Sequence, residues 1–135
     1  MASQILLEIV TPERLVLSKN VDEVRAVGVE GAFGVLPRHA PLLTALMIDQ
    51  LRWLVDGNEE KAAISDGFIE VTPEKVSVLA ETAELASEID TARSEQARER
   101  AMKRLDEVKV GDSEIDQVRA ERALRRSLAR LKALR

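Results

Sequence analysis

The chain has 135 residues with no cysteine, one histidine, no tyrosine and a formal charge of −4. That inventory excludes a thiol nucleophile, a Cys/His metal cage and any Ser/His/Asp triad not built on His39, so a conventional enzyme is not expected. No run of 18 apolar residues is present, the opening Met-Ala-Ser-Gln-Ile-Leu-Leu-Glu does not read as a signal peptide, and the lack of cysteine fits a reducing compartment, so any membrane association is expected to be indirect.

The charge is unevenly divided. Residues 1–86 hold 7 basic and 14 acidic side chains, whereas residues 87–135 hold 13 and 10. All four prolines and every glycine except Gly111 fall in the first part. Two modules of different architecture are predicted, 1–86 and 87–135.

Short stretches of alternating apolar and polar residues run through the first module: Ile5 to Val10, Val21 to Val29, Gln50 to Val55, Ala62 to Ser65, Phe68 to Val71 and Lys75 to Leu79. Such strands at close intervals predict a β-sandwich or barrel with one modest core. Asp56-Gly57 suits a type I′ turn, whose two central residues need positive φ, so Leu51 to Val55 is expected to pair with Lys61 to Ser65. Gly31 to Leu43 stands apart, with the sole histidine, two prolines and a phenylalanine. Its glycines permit unusual backbone angles and its prolines remove two amide donors, so it is expected to be a rigid docking loop rather than a strand or helix. His39 either braces that loop or meets a partner.

The second module reads as two helices. Ser87-Glu88-Ile89-Asp90 recurs 26 residues later as Ser113-Glu114-Ile115-Asp116. Each serine is a good N-cap and each following acid favours a helix start, so a hairpin of about Glu88 to Lys109 and Glu114 to Leu134 is predicted, turning at Gly111-Asp112. Its seam is expected to use Ile89, Met102, Leu105, Ile115, Val118, Leu124, Leu128 and Leu131. Residues 117–135 hold seven basic side chains against the single acid Glu121. One acid cannot pair seven cations, so this stripe asks for an acidic partner. A nucleic-acid-binding or adaptor hairpin is the alternative reading, opposed by the acidic first module and by having only Phe33, Trp53 and Phe68 for stacking.

Several ordered motifs make the chain similar to the epsilon-subunit family of bacterial F-type ATP synthase. They are Val10-Thr11-Pro12, Glu30-Gly31 with Gly34 to Leu43, Asp66 to Val71, Lys75 to Glu81, and Ile89-Asp90 with Arg93. The resemblance implies a flattened β-sandwich of about ten strands followed by an α-helical hairpin. It implies a non-catalytic central-stalk subunit that couples rotation of the c ring and the gamma subunit to ATP synthesis, peripheral on the cytoplasmic face of the bacterial inner membrane. Ala32, Phe33, His39 and Pro41 would then lie at the rotor interface.

The resemblance also implies a hairpin either folded on the sandwich or extended into the catalytic alpha and beta subunits, where it blocks ATP hydrolysis. Arg119, Arg122, Arg126 and Arg130 would face the acidic lever of beta. Ile89-Asp90-Thr91-Ala92-Arg93-Ser94 also resembles the family's ATP motif, with Ser94 in place of alanine. This implies a regulatory ATP, not a required cofactor, at Glu84, Asp90, Arg93, Arg126 and Arg130, where arginine forks suit phosphate oxygens. No glycine-rich Walker loop with its lysine is present.

Overall fold

A computed structural model describes residues 3–108 and 114–135. Eight strands come first: β1 (Ile5–Val10), β2 (Leu15–Val21), β3 (Glu23–Gly28), β4 (Gly31–Val35), β5 (Leu42–Leu46), β6 (Asp49–Val55), β7 (Asn58–Val71) and β8 (Lys75–Leu85). A single 3-10 turn, Ala86–Glu88, leads to α1 (Thr91–Val108), and α2 (Glu114–Ala133) closes the chain. The result is a β-sandwich carrying two helices, as expected.

The sandwich closes because β7 is long. Its first half pairs with β6 and its second half with β5, while both β6 and β5 also reach β3. The sheet thereby folds over itself. β8 follows β7 along nearly its whole length and brings β1 alongside in parallel, with β2 at the edge. Inside lie the alternating residues of β1, Ile5, Leu7 and Ile9, together with Leu51, Trp53, Ile69, Val71, Val76 and Val78, all essentially without exposed surface. These are the inward positions of period-2 patterns, so burial follows directly from the alternation.

Several expectations are corrected. Ala62 to Ser65 and Phe68 to Val71 are halves of one strand, not two, and the described residues form eight strands where the resemblance implied about ten. The junction is tolerated because Gly67 lies so close to β8 that a Cβ there would stand 2.8 Å from the Leu79 carbonyl oxygen. The turn at Asp56-Gly57 has positive φ at both residues, 50° and 82°. Its two-residue loop pairs Val55 with Asn58, so the partner segment begins three residues earlier than expected. Gly31 to Leu43 is not wholly irregular either. β4 pairs with β3 and β5 begins at Leu42, and glycines are acceptable in β4 because it is a short strand at the end of the sheet. Pro37 and Pro41 sit in the connection between them.

The first helix begins at Thr91, not Glu88. Ile89 is extended and buried, and Asp90 rather than Ser87 is the cap: its Oδ1 accepts from the Arg93 amide at 3.1 Å. The expected turn at Gly111-Asp112 and the cap at Ser113 lie outside the described residues. α2 begins at Glu114 and ends within a residue of expectation. The seam differs more. Met102, Val118 and Leu128 are exposed, while Ser94, Ala101, Ala120, Ser127, Ala129 and Ala133 are buried. Small side chains let two helices, and a helix and a sheet, approach closely, which leaves the larger apolar residues outside.

Candidate functional site

Three regions carry the residues singled out above. The first is the contact between α2 and the sandwich. β7 is buried on both faces from Ala62 to Ser65, because Ala62 and Ile64 face the core while Ala63 packs with Ile89, Ala129 and Ala133. Polar contacts surround this narrow apolar strip. Arg122 donates to Asp66, Arg130 Nε donates to Glu84 Oε1 at 2.7 Å, and Lys132 Nζ donates to Asp49 Oδ1 at 3.1 Å. Lys61 Nζ donates in turn to the Arg135 carbonyl at 2.6 Å. The hydrogen bond from Arg122 is the main reason that the Asp66 carboxyl is held below its ordinary range. Partial burial opposes this, whereas the Ser65 hydroxyl and the charges of Arg122 and Arg126 reinforce it.

Arg122 and Arg130, read from sequence as cations in search of an acidic partner, thus have acids of the same chain. Arg119 is exposed, and Arg126 is half-buried close to Asp66. The missed contacts, Arg122 with Asp66 and Lys132 with Asp49, had a signal in the opposite net charges of the two modules.

The second region is a cleft of about 210 Å³ where the end of β8 meets both helices. Glu84, Asp90, Arg93 and Arg130 line it together, joined by Glu88, Ser94 and Arg100, none of which had been assigned to the site. Arg126 is not among its walls and lies instead at a smaller gap beneath α2 with Ala63, Glu84 and Arg130. Asp90 already caps α1 through Oδ1. Ser94 is buried, and its hydroxyl donates to the Asp90 carbonyl at 2.9 Å. The cleft therefore offers three guanidinium groups and three carboxylates on elements that belong to both modules. Among the described residues no cluster of three His, Cys, Asp or Glu side chains could hold a metal ion.

The third region is the β4–β5 segment with its neighbours. Ala32 is exposed opposite Val27, and Phe33 is half-buried, packed against the core opposite Ala26. His39 Nδ1 lies 2.6 Å from the Ala40 carbonyl, its amide donates to Leu36, and the Arg38 amide donates to Pro73. The histidine therefore braces its own loop. Pro41 is exposed where β5 begins. Beside this segment lies an apolar row that the sequence reading did not collect. Ala45, Phe68, Leu79 and Val10 are consecutive cross-strand neighbours on β5, β7, β8 and β1. Phe68 is 58% exposed and Leu79 56%, and Leu43, one outward position along β5, is 68% exposed. These exposed apolar groups adjoin one another on the outer face of the sheet.

Family comparison accounts for both modules. Residues 4–86 match the β-sandwich domain of the ATP synthase delta/epsilon chain, and residues 87–135 match the long alpha-helix domain of the same chain. The sequence is 55% identical over 105 residues to the ATP synthase epsilon chain of Carboxydothermus hydrogenoformans, covering 78% of each chain. It is 50% identical over 109 residues to that of Nitratidesulfovibrio vulgaris, covering 81% of each. The fold is similar to that of a chain in the OSCP/F1/c-ring structure of Euglena gracilis mitochondrial ATP synthase, with TM-score 0.83, 24% identity and coverage of 98% of this chain and 82% of that one. A chain from the central stalk and c ring of the Tetrahymena thermophila mitochondrial enzyme gives TM-score 0.60 at 13% identity, with full coverage of both. The chain belongs to the ATP synthase delta/epsilon family, as an epsilon subunit, a non-catalytic part of the F-type rotary complex. Among the described residues, no helix is long and apolar enough to cross a membrane.

Proposed function

We propose that the sandwich docks on the gamma subunit and the c ring through the Ala45, Phe68, Leu79 and Val10 row and the adjoining Gly31 to Leu43 segment, so that the chain turns with the central stalk. The site is then peripheral, on the cytoplasmic face of a bacterial inner membrane. The exposed row carries this reading, since burying Phe68, Leu43 and Leu79 against a partner removes apolar surface that folding leaves in water. On this reading Ala32 would touch the ring loops, while Phe33, His39 and Pro41 would hold the shape of the segment.

The hairpin is proposed as the regulatory element. It is folded on the sandwich here, and the contacts that hold it are small apolar side chains and exchangeable ion pairs. An extended hairpin would present Arg119, Arg122, Arg126 and Arg130 to the catalytic beta and alpha subunits and restrain ATP hydrolysis. Regulatory ATP would favour the folded form by joining the two helices at the cleft, with Arg93 and Arg130 on phosphate and Glu84 or the free oxygen of Asp90 on the nucleoside. At about 210 Å³ the cleft falls below the ~300–1,000 Å³ of ordinary ligand pockets, so a nucleotide would fill it and project beyond it. Arg126 would enter only by turning from its present place.

The test is an assembled enzyme lacking residues 87–135. ATP hydrolysis should rise while proton-driven synthesis persists, and unchanged hydrolysis would remove the inhibitory role. A companion chain carrying Phe68→Glu and Leu79→Glu should lose co-purification with gamma while keeping its melting temperature. Retained binding would sink the docking assignment.

A further inference from the structure

The strip that seats α2 on the sandwich is thin. Its buried members are Ala63, Ile89, Ala129 and Ala133, with Ile48 and Leu134 partly covered beside them. Ionic contacts stand toward both ends. Arg122 meets Asp66 near one end, and Lys132 meets Asp49 near the other, about 15 Å along the helix at ~1.5 Å per residue. We propose that Asp66 is a latch residue: its pairing with Arg122 holds the second helix down on the sandwich, independently of the nucleotide cleft, and opens when salt or a competing acidic chain takes the guanidinium. This rests on the two-position reading of the hairpin and adds one group that tunes the balance.

Asp66 is suited to the task by its place in the chain. It stands where β7 passes from its β6 partner to its β5 partner, with φ of 54°, a left-handed conformation that aspartate tolerates and that displaces it from the regular alternation of the strand. The Ser65 hydroxyl donates to its second oxygen at 3.1 Å, which leaves the first oxygen for Arg122. Arg126, one turn further along α2, adds positive field from the same side. Asp66 does not line the cleft. Exposed pairs singly shift an equilibrium by only about 1.5- to 5-fold. That is enough to matter for two conformations separated by a small free-energy difference, and too little to fix the hairpin permanently.

The experiment is hydrogen exchange on the full chain, comparing wild type, Asp66→Asn, Arg122→Gln and the double variant at low and high salt. Asparagine keeps the size of the side chain and accepts the left-handed backbone. Amides of α2 should exchange about two- to five-fold faster in each single variant and no faster in the double, while amides of β1 and β8 keep the wild-type rate. Salt should accelerate α2 in the wild type more than in the variants. Unchanged α2 exchange in Arg122→Gln, or additive effects in the double, overturns the latch. If Asp66→Asn also loosens β1 and β8, Arg122→Gln, which alters no sandwich residue, decides alone. Added millimolar ATP separates the two ideas. Protection of α2 by a similar factor in wild type and Asp66→Asn is expected. No protection in either removes the cleft reading while the salt and mutant comparison still stands, and protection confined to the wild type overturns the independence of the latch.

Discussion

The sandwich and the hairpin bury their side chains in opposite ways. In the sandwich the large residues are inside: Trp53, Leu7, Leu51 and Ile69 have almost no exposed surface. In the hairpin the small ones are inside, with Ala101, Ala120 and Ser127 buried and Met102, Val118 and Leu128 facing water. The first arrangement removes much apolar surface per residue and commits the chain to one packing. The second removes little, which is what the proposed exchange of one surface for another would require. Side-chain size as much as secondary structure thus distinguishes a tightly packed platform from a lightly seated arm.

The largest break in that comparison comes from the core. Leu7→Ala should lower the sandwich's unfolding free energy by ~2–5 kcal/mol, because the side chain is fully buried and the cavity relaxes only in part. Met102→Ala on the exposed face of α1 should change it by less than ~0.5 kcal/mol. Denaturant titration followed by fluorescence of Trp53, the only tryptophan, reads both. By the same logic, residues 1–86 alone should unfold cooperatively, since the main core cluster contains no helical residue. A non-cooperative transition would show that the platform depends on the arm.

Gly67→Ala comes next. The added Cβ would stand 2.8 Å from the Leu79 carbonyl oxygen and 3.2 Å from the Ala80 Cβ, so β7 and β8 must separate. A loss of ~1–3 kcal/mol in sandwich stability is expected, in the range of an overpacked site. Ala129→Leu sharpens the contrast from the other side. The helix would be pushed from Ala63, which should raise protease sensitivity in α2 while leaving the Trp53 transition in place.

Much of this was legible in the residues. The alternation of Ile5 to Val10 marked β1 to the residue, and Asp56-Gly57 marked its turn, because those signals are local. β2, β4 and β5 were missed, β5 because it starts directly after Pro41 inside the segment expected to be a loop. β2 carries Ser18, Lys19 and Asn20 and packs only part of its length inward, and β4 is rich in glycine, so both are strands by virtue of their neighbours. The start of α1 was misplaced because Ser87 and Asp90 both have capping chemistry, and only the burial of Ile89 decides between them. Glu84, Asp90, Arg93 and Arg130 were gathered by motif, whereas Arg100 and the Asp66 pair needed the positions of helices relative to sheet. No spacing rule encodes a contact 56 residues apart.

The smallest expected effect is the pH dependence of the Asp66 contact. Its carboxyl is held below the ordinary value of 3.8 when Arg122 is docked, and returns toward it when the helix lifts. The undocked form therefore binds the proton more readily. The contribution of Asp66 to docking is complete above the ordinary value and is lost as pH falls from there through the lowered one. Wild type and Asp66→Asn should consequently differ in α2 hydrogen exchange by a constant ratio from about pH 5 to pH 8, once intrinsic exchange rates are removed, and that ratio should shrink toward unity below about pH 4. High salt should produce the same convergence at neutral pH, since at about 1 M ionic strength exposed charges are screened beyond ~3 Å. A ratio that persisted in acid, with the carboxyl protonated, would mean that asparagine loosens α2 through shape rather than charge. The arm would then be held by its alanines and by the contacts at Glu84 and Asp49, without a contribution from the Asp66 charge.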